Sequence, residues 1–156
     1  MDRALTVADR ANNAVLQQRD GQWSVQGDPT EGALLVAARK AGLDPERLQS
    51  HFVRVGEIPF SSERKLMTTI HSEATGEERT LVFTKGAPDV LLARCSREFV
   101  APDNKPLSSE RRAAIINSTE DLAKEALRTL GVAFRALPKA SGDNAPGEEN
   151  VEWDLV

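Results

Sequence analysis

The chain has 156 residues, of which 40% are hydrophobic and 28% are charged, a composition typical of one globular domain with a packed core. Lys and Arg total 20 against 24 Asp and Glu, so the net charge is −4 and a nucleic-acid partner is disfavoured. Every apolar run is far shorter than the roughly 20 residues of a membrane helix, so we expect no membrane contact by this chain.

The few residues capable of disulfide or metal chemistry are isolated in the sequence. Cys95 is the single cysteine and cannot form an internal disulfide, which favours a reducing, cytoplasmic compartment. His51 and His71 are far from Cys95 along the chain. We therefore predict no metal site and interpret all three residues as structural.

The first third of the chain is predicted to be mainly helical. Apolar residues at helical spacing predict a helix over 5–18, and an Asp-Gly turn precedes a short strand or loop over 22–27. The Asp-Pro-Thr-Glu stretch at 28–31 is typical of a helix start, and Gly42 is typical of its end. A shorter helix is predicted to begin at Asp44.

From residue 52 the apolar pattern changes to a period of two, which is typical of strands. Strands are predicted at 52–58, 66–71 and 79–84. The second and third of these flank a turn predicted at 74–77, so residues 66–70 and 80–84 are expected to pair as a β-hairpin.

The second half of the chain returns to helices before a last strand. The pattern predicts a helix over 87–95, a loop over 102–106, a long amphipathic helix over 108–130, a strand over 131–137 and a mobile polar loop over 138–150. The whole order predicts an α+β fold with a twisted antiparallel β-sheet flanked by helices. An apolar segment near Trp153 stops at Val156, so we expect a single domain, 1–156, cut from a longer protein.

Several well-known catalytic and phosphate-binding motifs do not occur in the chain. It has no G-x-x-x-x-G-K-[ST] loop, no G-x-G-x-x-G fingerprint, no H-E-x-x-H pair and no G-x-S-x-G elbow. These absences disfavour most nucleotide enzymes that have a recognisable phosphate loop. We predict no catalytic residue within this chain.

Four polar clusters nevertheless interrupt the apolar pattern. They are Gly-Asp-Pro-Thr-Glu-Gly-Ala-Leu at 27–34, Pro-Phe-Ser-Ser-Glu-Arg-Lys-Leu-Met at 59–67, Thr-Lys-Gly-Ala-Pro at 84–88 and Leu-Arg-Thr-Leu at 127–130. Each alone has a structural interpretation: a capped helix start, a charged bend with Phe60 in the core, a strand end, or a solvated arginine.

Together and in this order, the clusters resemble the nucleotide-binding domain of P-type cation-transporting ATPases of the calcium-pump-like subgroup. The family patterns G-[DE]-x-T-E-x-A-L, P-F-[SN]-S-x-R-K-x-M, K-G-A-P and L-R-x-L-G-x-A match residues 27–34, 59–67, 85–88 and 127–133. The resemblance covers nearly the whole chain and implies the fold of that domain. The Asp-Lys-Thr-Gly-Thr motif of the phosphorylation domain is absent, as expected of an excised nucleotide-binding domain.

The resemblance assigns six residues to ATP: Glu31, Phe60, Lys65, Lys85, Gly86 and Arg128. Phe60 would stack on adenine, a contact worth roughly 1–3 kcal/mol by analogy with other base–aromatic stacking. Glu31 would accept from the adenine amine, directly or through water, and Lys85 would lie beside the base. Gly86 would let the backbone approach the ligand where a Cβ would collide.

The phosphate end of the nucleotide is assigned to cations. Lys65 and Arg128 would face the ribose and phosphates. One departure from the calcium pumps of animal cells is Ser62, which stands where those pumps commonly have an arginine. Arg64 could substitute for that arginine, or its alternate position on a strand could direct it away.

The resemblance also implies a function. The domain would bind ATP through its adenosine end and present the γ-phosphate to the aspartate of a separate phosphorylation domain, driving cation transport in the whole pump. Expected partners are ATP, ADP, and the phosphorylation and actuator domains of the same pump, with Mg²⁺ accompanying ATP. The chain would be a cytoplasmic domain of an integral membrane protein and catalytically inactive alone. The alternatives are a stand-alone adenine-nucleotide sensor and a degenerate interaction domain.

Overall fold

A four-stranded antiparallel sheet lies at the centre of this computed structural model, which describes residues 2–74, 79–137 and 151–156. The elements in chain order are α1 (Asp2–Arg10), β1 (Val15–Arg19), β2 (Gln22–Gln26), α2 (Pro29–Lys40), α3 (Pro45–His51), β3 (Phe52–Ile58), β4 (Leu66–Glu73), β5 (Thr80–Gly86), α4 (Pro88–Arg94), β6 (Arg97–Val100), β7 (Asp103–Pro106), α5 (Ser109–Lys124) and β8 (Gly131–Leu137). The predicted loop over 138–150 and most of the predicted turn at 74–77 lie outside the described residues.

The central sheet has the strand order β3-β4-β5-β8, and every neighbouring pair is antiparallel. The predicted hairpin is confirmed, because β4 pairs with β5 from Leu66↔Gly86 to Ser72↔Thr80. The bounds predicted for β3 and β8 are also confirmed. Two separate hairpins, β1–β2 and β6–β7, complete the strands among the described residues, and the α+β prediction is confirmed.

Apolar side chains cover both faces of the sheet. Because paired residues of antiparallel strands share a face, Leu66 and Ala133 point to one side, where they pack with Leu91 of α4 and with Leu155. Phe83 points to the other side, where it packs with Val7 and Ala11 at α1. We call these sides the α4 face and the α1 face.

The carboxyl-terminal segment, residues 151–156, belongs to the α4 face. Val151, Glu152 and Leu155 are buried. Leu155 bridges to Cys95, while the amide and carbonyl of Val156 bond those of Phe134 on β8 at 2.9 and 3.0 Å. The last residues of the chain therefore add a further stretch of backbone beside the sheet.

The first predicted helix was too long. We predicted a helix over 5–18, but α1 ends at Arg10 and Val15 already pairs with Gln26 in the β1–β2 hairpin. The cause is Asn12, whose amide donates to the carbonyls of Ala8 and Glu31 and whose side-chain oxygen accepts from the amide of residue 14. These bonds compete with helical ones and turn the chain.

Two predictions in the second half were also wrong. Residues 102–106 are not loop throughout, because β7 pairs with β6 from Val100↔Asp103 to Arg97↔Pro106. The long helix ends at Lys124 rather than at residue 130. Ala126 takes a left-handed conformation, with φ of 59°, and the amide of Leu127 bonds the carbonyl of Leu122. This kind of helix stop normally has glycine at the left-handed position, so an alanine there could not be recognised as one from the sequence.

Among the described residues, no helix is long and apolar enough to cross a membrane. The longest helix, α5, has 16 residues and includes charged side chains along its length.

His71 of β4 is only 1% exposed, and its ring lies beside that of Phe83. Its Nδ1 lies 3.3 Å from the carbonyl of Phe52 and its Nε2 lies 2.9 Å from the hydroxyl of Thr69. Burial lowers the pKa of His71 to about 4, with smaller contributions from the charges of Arg10 and Arg54. The imidazole is therefore neutral in the folded state at neutral pH.

We expect the free energy of unfolding to fall as the pH drops from about 6.5 to about 4. In this window the unfolded chain binds a proton at His71 that the folded chain excludes, which costs up to about 3 kcal/mol. Urea unfolding at several pH values would measure this, and His71→Gln should lose that part of the slope. His51→Gln, at a more exposed histidine, serves as the control. An unchanged slope in His71→Gln would contradict the assignment.

Candidate functional site

A cavity of about 320 Å³ opens on the α1 face, where β4 and β5 meet the start of α2. It is lined by Asn13, Asp28, Thr30, Glu31, Leu34, Glu57, Pro59, Phe60, Met67, Lys85, Gly86, Arg128 and Leu130. These residues come from all four polar clusters of the sequence and from two further stretches, at Asn13 and Glu57. The fold therefore brings together motifs that are distant along the chain.

Five of the six residues assigned to ATP line this cavity, and Lys65 does not. Lys65 is exposed and has a left-handed backbone with φ of 55°. Its amide donates to the carbonyl of Ser61 and its carbonyl accepts from the amide of Ala87. Its described contacts therefore fix the backbone of the loop before β4.

The deepest polar contact of the cavity is an ion pair between Lys85 and Glu31. The Lys85 Nζ lies 2.6 Å from Glu31 Oε1, and Lys85 is only 6% exposed. Burial lowers the pKa of Lys85, while the hydrogen bond and the charge of Glu31 act in the opposite direction. The pair joins the end of β5 to the first turn of α2.

Glu31 is held by more than this lysine. Its second carboxylate oxygen accepts from the backbone amide of Asn13 at 3.1 Å, and its carbonyl accepts from the side chain of Asn12 at 2.9 Å. The carboxylate therefore has a fixed orientation, with one protein donor on each oxygen. Each oxygen keeps a further lone pair that can accept from a ligand.

Asp28 is the N-cap of α2, as the sequence predicts. Its carboxylate accepts from the amides of Thr30 at 2.8 Å and Glu31 at 3.1 Å. The bond from the Glu31 amide is the main cause that lowers the pKa of Asp28, and the charge of Arg128 acts in the same direction. The first amides of α2 are thus occupied by a side chain of the protein.

Apolar groups form the mouth of the cavity. Phe60 is 61% exposed, which is unusual for a large aromatic side chain, and Leu130 is also exposed. Leu34 and Met67 line the interior. The alternative interpretation of Phe60 as a core residue is therefore wrong.

Arg64 does not line the cavity. Its Nη1 lies 2.7 Å from Glu152 Oε1, and its Nη2 donates to the carbonyls of Pro59 and Leu66. The guanidinium is therefore engaged on the α4 face and is not placed to substitute for the arginine that Ser62 replaces. Ser62 itself is exposed.

Gly86 lines the cavity, but a contact within the protein already requires glycine there. A Cβ on Gly86 would lie 2.2 Å from the carbonyl oxygen of Lys65 and 3.0 Å from Cα of Leu66. Both are backbone atoms, one directly before β4 and one at its first residue, so they cannot move aside cheaply. The close approach of β4 and β5 is a reason for glycine that holds with or without a ligand.

Sequence reasoning missed two polar residues of the cavity wall. The side-chain amide of Asn13 donates to Glu57 Oε1 at 2.8 Å, and Arg54 forms an ion pair with Glu57 at 2.7 Å. Asn13 fell inside the wrongly predicted first helix, and Glu57 followed the ordinary alternation of a strand. Neither position had a pattern that indicated a site.

Among the described residues, no group of three or more His, Cys, Asp or Glu side chains is arranged to hold a metal ion.

Comparison with known proteins agrees with the four motifs. A family model described as "P-type ATPase, cytoplasmic domain N" matches residues 1–156. The chain belongs to this family. The resemblance found in the sequence is therefore confirmed, and so is the fold that it implied. The chain is therefore an N domain of this family.

The curated relatives that this N domain resembles are named as calcium- or cation-transporting ATPases. It is 42% identical over 145 residues to "Calcium-transporting ATPase" of Bacillus subtilis (strain 168), covering 93% of this chain and 16% of that protein. It is 41% identical over 130 residues to "Calcium-transporting ATPase lmo0841" of Listeria monocytogenes, covering 83% of this chain and 14% of that protein. It is 39% identical over 142 residues to "Probable cation-transporting ATPase F" of Mycobacterium bovis, covering 90% of this chain and 15% of that protein. The chain thus spans about a sixth of the length of these relatives.

We expect Gly86→Ala to lower the free energy of unfolding by about 1–3 kcal/mol, the usual cost of forcing atoms into a packed region. Gly56→Ala is the matched control in the same sheet, because a Cβ there would meet its nearest neighbour, Ile70 Cδ1, at an ordinary 3.4 Å. Urea unfolding without nucleotide would compare the two variants. Equal effects of the two substitutions would show that the contact with Lys65 is not what selects glycine.

Proposed function

We propose that this N domain binds ATP through the adenosine end and that, in the whole pump, it presents the γ-phosphate to the aspartate of a separate phosphorylation domain. The observation that supports this most directly is the cavity in which Phe60, the Lys85–Glu31 pair and Arg128 meet. The residues Glu31, Phe60, Lys85, Gly86 and Arg128 would contact the nucleotide. Lys65, outside the cavity lining, would meet the part of the nucleotide that projects from it.

The size of the cavity suits part of a nucleotide. Its volume of about 320 Å³ is at the lower end of small-molecule pockets, which span roughly 300–1,000 Å³. Its apolar wall, with Phe60, Met67 and Leu130, matches the flat apolar faces of a purine. We therefore assign the base and ribose to the cavity and the phosphates to its exterior.

The charges of the cavity support the same orientation. Three carboxylates, of Asp28, Glu31 and Glu57, line it against the two cations Lys85 and Arg128. An excess of acceptors suits the amine of adenine and disfavours a triphosphate inside the cavity. The start of α2 is also unsuited to a phosphate, since Asp28 already occupies its first amides.

In the whole pump, the role of the domain would be to position the nucleotide for phosphoryl transfer. Phosphoryl transfer depends mainly on holding the reacting groups in line and on stabilising their charge. An N domain that holds only the adenosine end leaves the γ-phosphate accessible to another domain. Mg²⁺ would accompany ATP in the whole pump, and the phosphorylation and actuator domains would be the partners of this chain.

The description of the family supports a cytoplasmic location for this domain, and the names of the relatives suggest the cargo of the pump. They include proteins named calcium-transporting and cation-transporting ATPases. We assign this chain to the cytoplasmic part of an integral membrane pump for a cation, with calcium favoured within that class. Alone, the chain is expected to have no ATPase activity, because the Asp-Lys-Thr-Gly-Thr acceptor motif does not occur in it.

Binding should depend on adenine far more than on the γ-phosphate. We expect dissociation constants on the order of 0.1 to several mM, with ATP and ADP within about 1 kcal/mol of each other and little effect of Mg²⁺. GTP should bind more weakly, because guanine presents a carbonyl oxygen where adenine presents its amine, and the carboxylates repel it. NMR titrations with ATP, ADP and GTP would test this. A tenfold preference for Mg·ATP over ADP would mean that the domain holds the γ-phosphate itself.

Phe60→Ala should weaken ATP binding about fivefold or more, the lower range expected for the loss of base stacking. It should barely change the melting temperature, because the side chain is 61% exposed. Trp23→Ala is the matched control, since Trp23 is 68% exposed and does not line the cavity. A large drop in melting temperature with intact binding would instead make Phe60 a stability residue.

A further inference from the structure

The loop that presents Phe60 is folded around one guanidinium group. This loop, residues 59–65, connects β3 to β4. The Nη2 of Arg64 donates to the carbonyl of Pro59, directly before Phe60, and to that of Leu66 at 3.2 Å, where β4 begins. A single side chain thus fastens both ends of the loop.

The guanidinium is anchored on the α4 face, opposite the cavity. Its Nη1 lies 2.7 Å from Glu152 Oε1, and the side chain of Glu152 is only 4% exposed. The same carboxylate accepts from the hydroxyl of Thr68 at 2.6 Å and pairs with Arg94 at 3.3 Å. Glu152 is therefore a fixed, buried point against which Arg64 holds the loop.

The ring of Phe60 depends on this backbone for its position. With 61% of the residue exposed, packing against neighbours contributes little to holding the ring. An aromatic side chain binds a base more tightly when it is already ordered before the ligand arrives, because less conformational entropy is lost on binding. The backbone on either side of Phe60 must therefore supply that order.

We propose that Arg64, anchored by Glu152, is a positioning residue for base recognition that acts through Phe60 and does not touch the nucleotide. The inference rests on the proposed binding of adenine nucleotides. Arginine is required because its planar fork meets Glu152, Pro59 and Leu66 at once, whereas a lysine ammonium is a single point of charge. The phosphates of the nucleotide have no part in this role.

The test compares Arg64→Lys with Arg94→Lys. Each variant alters one arginine paired with Glu152, but Arg94 lies on α4 and has no bond to the Phe60 loop among its described contacts. Arg64→Lys should weaken AMP, ADP and ATP equally, by about three- to tenfold, since it acts on stacking. Arg94→Lys should leave all three affinities unchanged. NMR titration gives the affinities, and thermal unfolding verifies that each variant is folded.

Three results would overturn the proposal. A loss that grows from AMP to ATP would mean that Arg64 contacts the phosphates directly. An equal loss in Arg94→Lys would mean a general effect of weakening the bonds to Glu152. In a Phe60→Ala background, the effect of Arg64→Lys should disappear, and an undiminished effect there would also contradict action through Phe60.

A ligand-free measurement separates this inference from the proposed function. Heteronuclear NOE values of the amides at 60–63 should fall in Arg64→Lys and stay unchanged in Arg94→Lys. If the unaltered domain binds no adenine nucleotide, the proposed function fails. In that event, lower NOE values in Arg64→Lys would still support the inference that Arg64 holds the loop in place. Unchanged NOE values would overturn that inference.

Discussion

The ion pair between Lys85 and Glu31 joins two parts of the chain that are 54 residues apart. It fixes the end of β5 against the first turn of α2, and the cavity lies where these two elements meet. A buried ammonium without a counter-charge would be costly, so Lys85 is compatible with this fold only because α2 begins where it does. The capped start of α2 and the orientation of Glu31 by Asn13 are therefore conditions for the cavity as much as for the helix.

The two faces of the sheet have different roles. The α1 face holds the cavity, in which polar groups remain available to a ligand. The α4 face holds a closed polar cluster, in which Glu152 satisfies Arg64, Arg94 and the hydroxyl of Thr68. The loop of Phe60 connects the faces, because its backbone is fastened from the α4 face while its aromatic ring stands at the mouth of the cavity.

Local patterns predicted most of the fold, and ordered motifs predicted the family. Strands β3 and β8 were predicted with the bounds that the structure has, since alternation is a strong local pattern. The first helix was overextended because nothing local shows that Asn12 bonds the carbonyl of Glu31. The engagement of Arg64 with Glu152 was likewise beyond sequence reasoning, because it joins residues separated by 88 positions. Contacts of this kind follow from the fold alone.

The 88 positions between Arg64 and Glu152 also determine when the contact between them can form during synthesis. A ribosome releases the Phe60 loop long before it releases residues 151–156, so the nascent loop lacks its anchor until Glu152 emerges. Non-local contacts of this kind form late and slow folding. The bond between Arg64 and Glu152 that holds this loop can form only after residue 152 has been synthesised, although the motif of Phe60 lies in the first half of the chain.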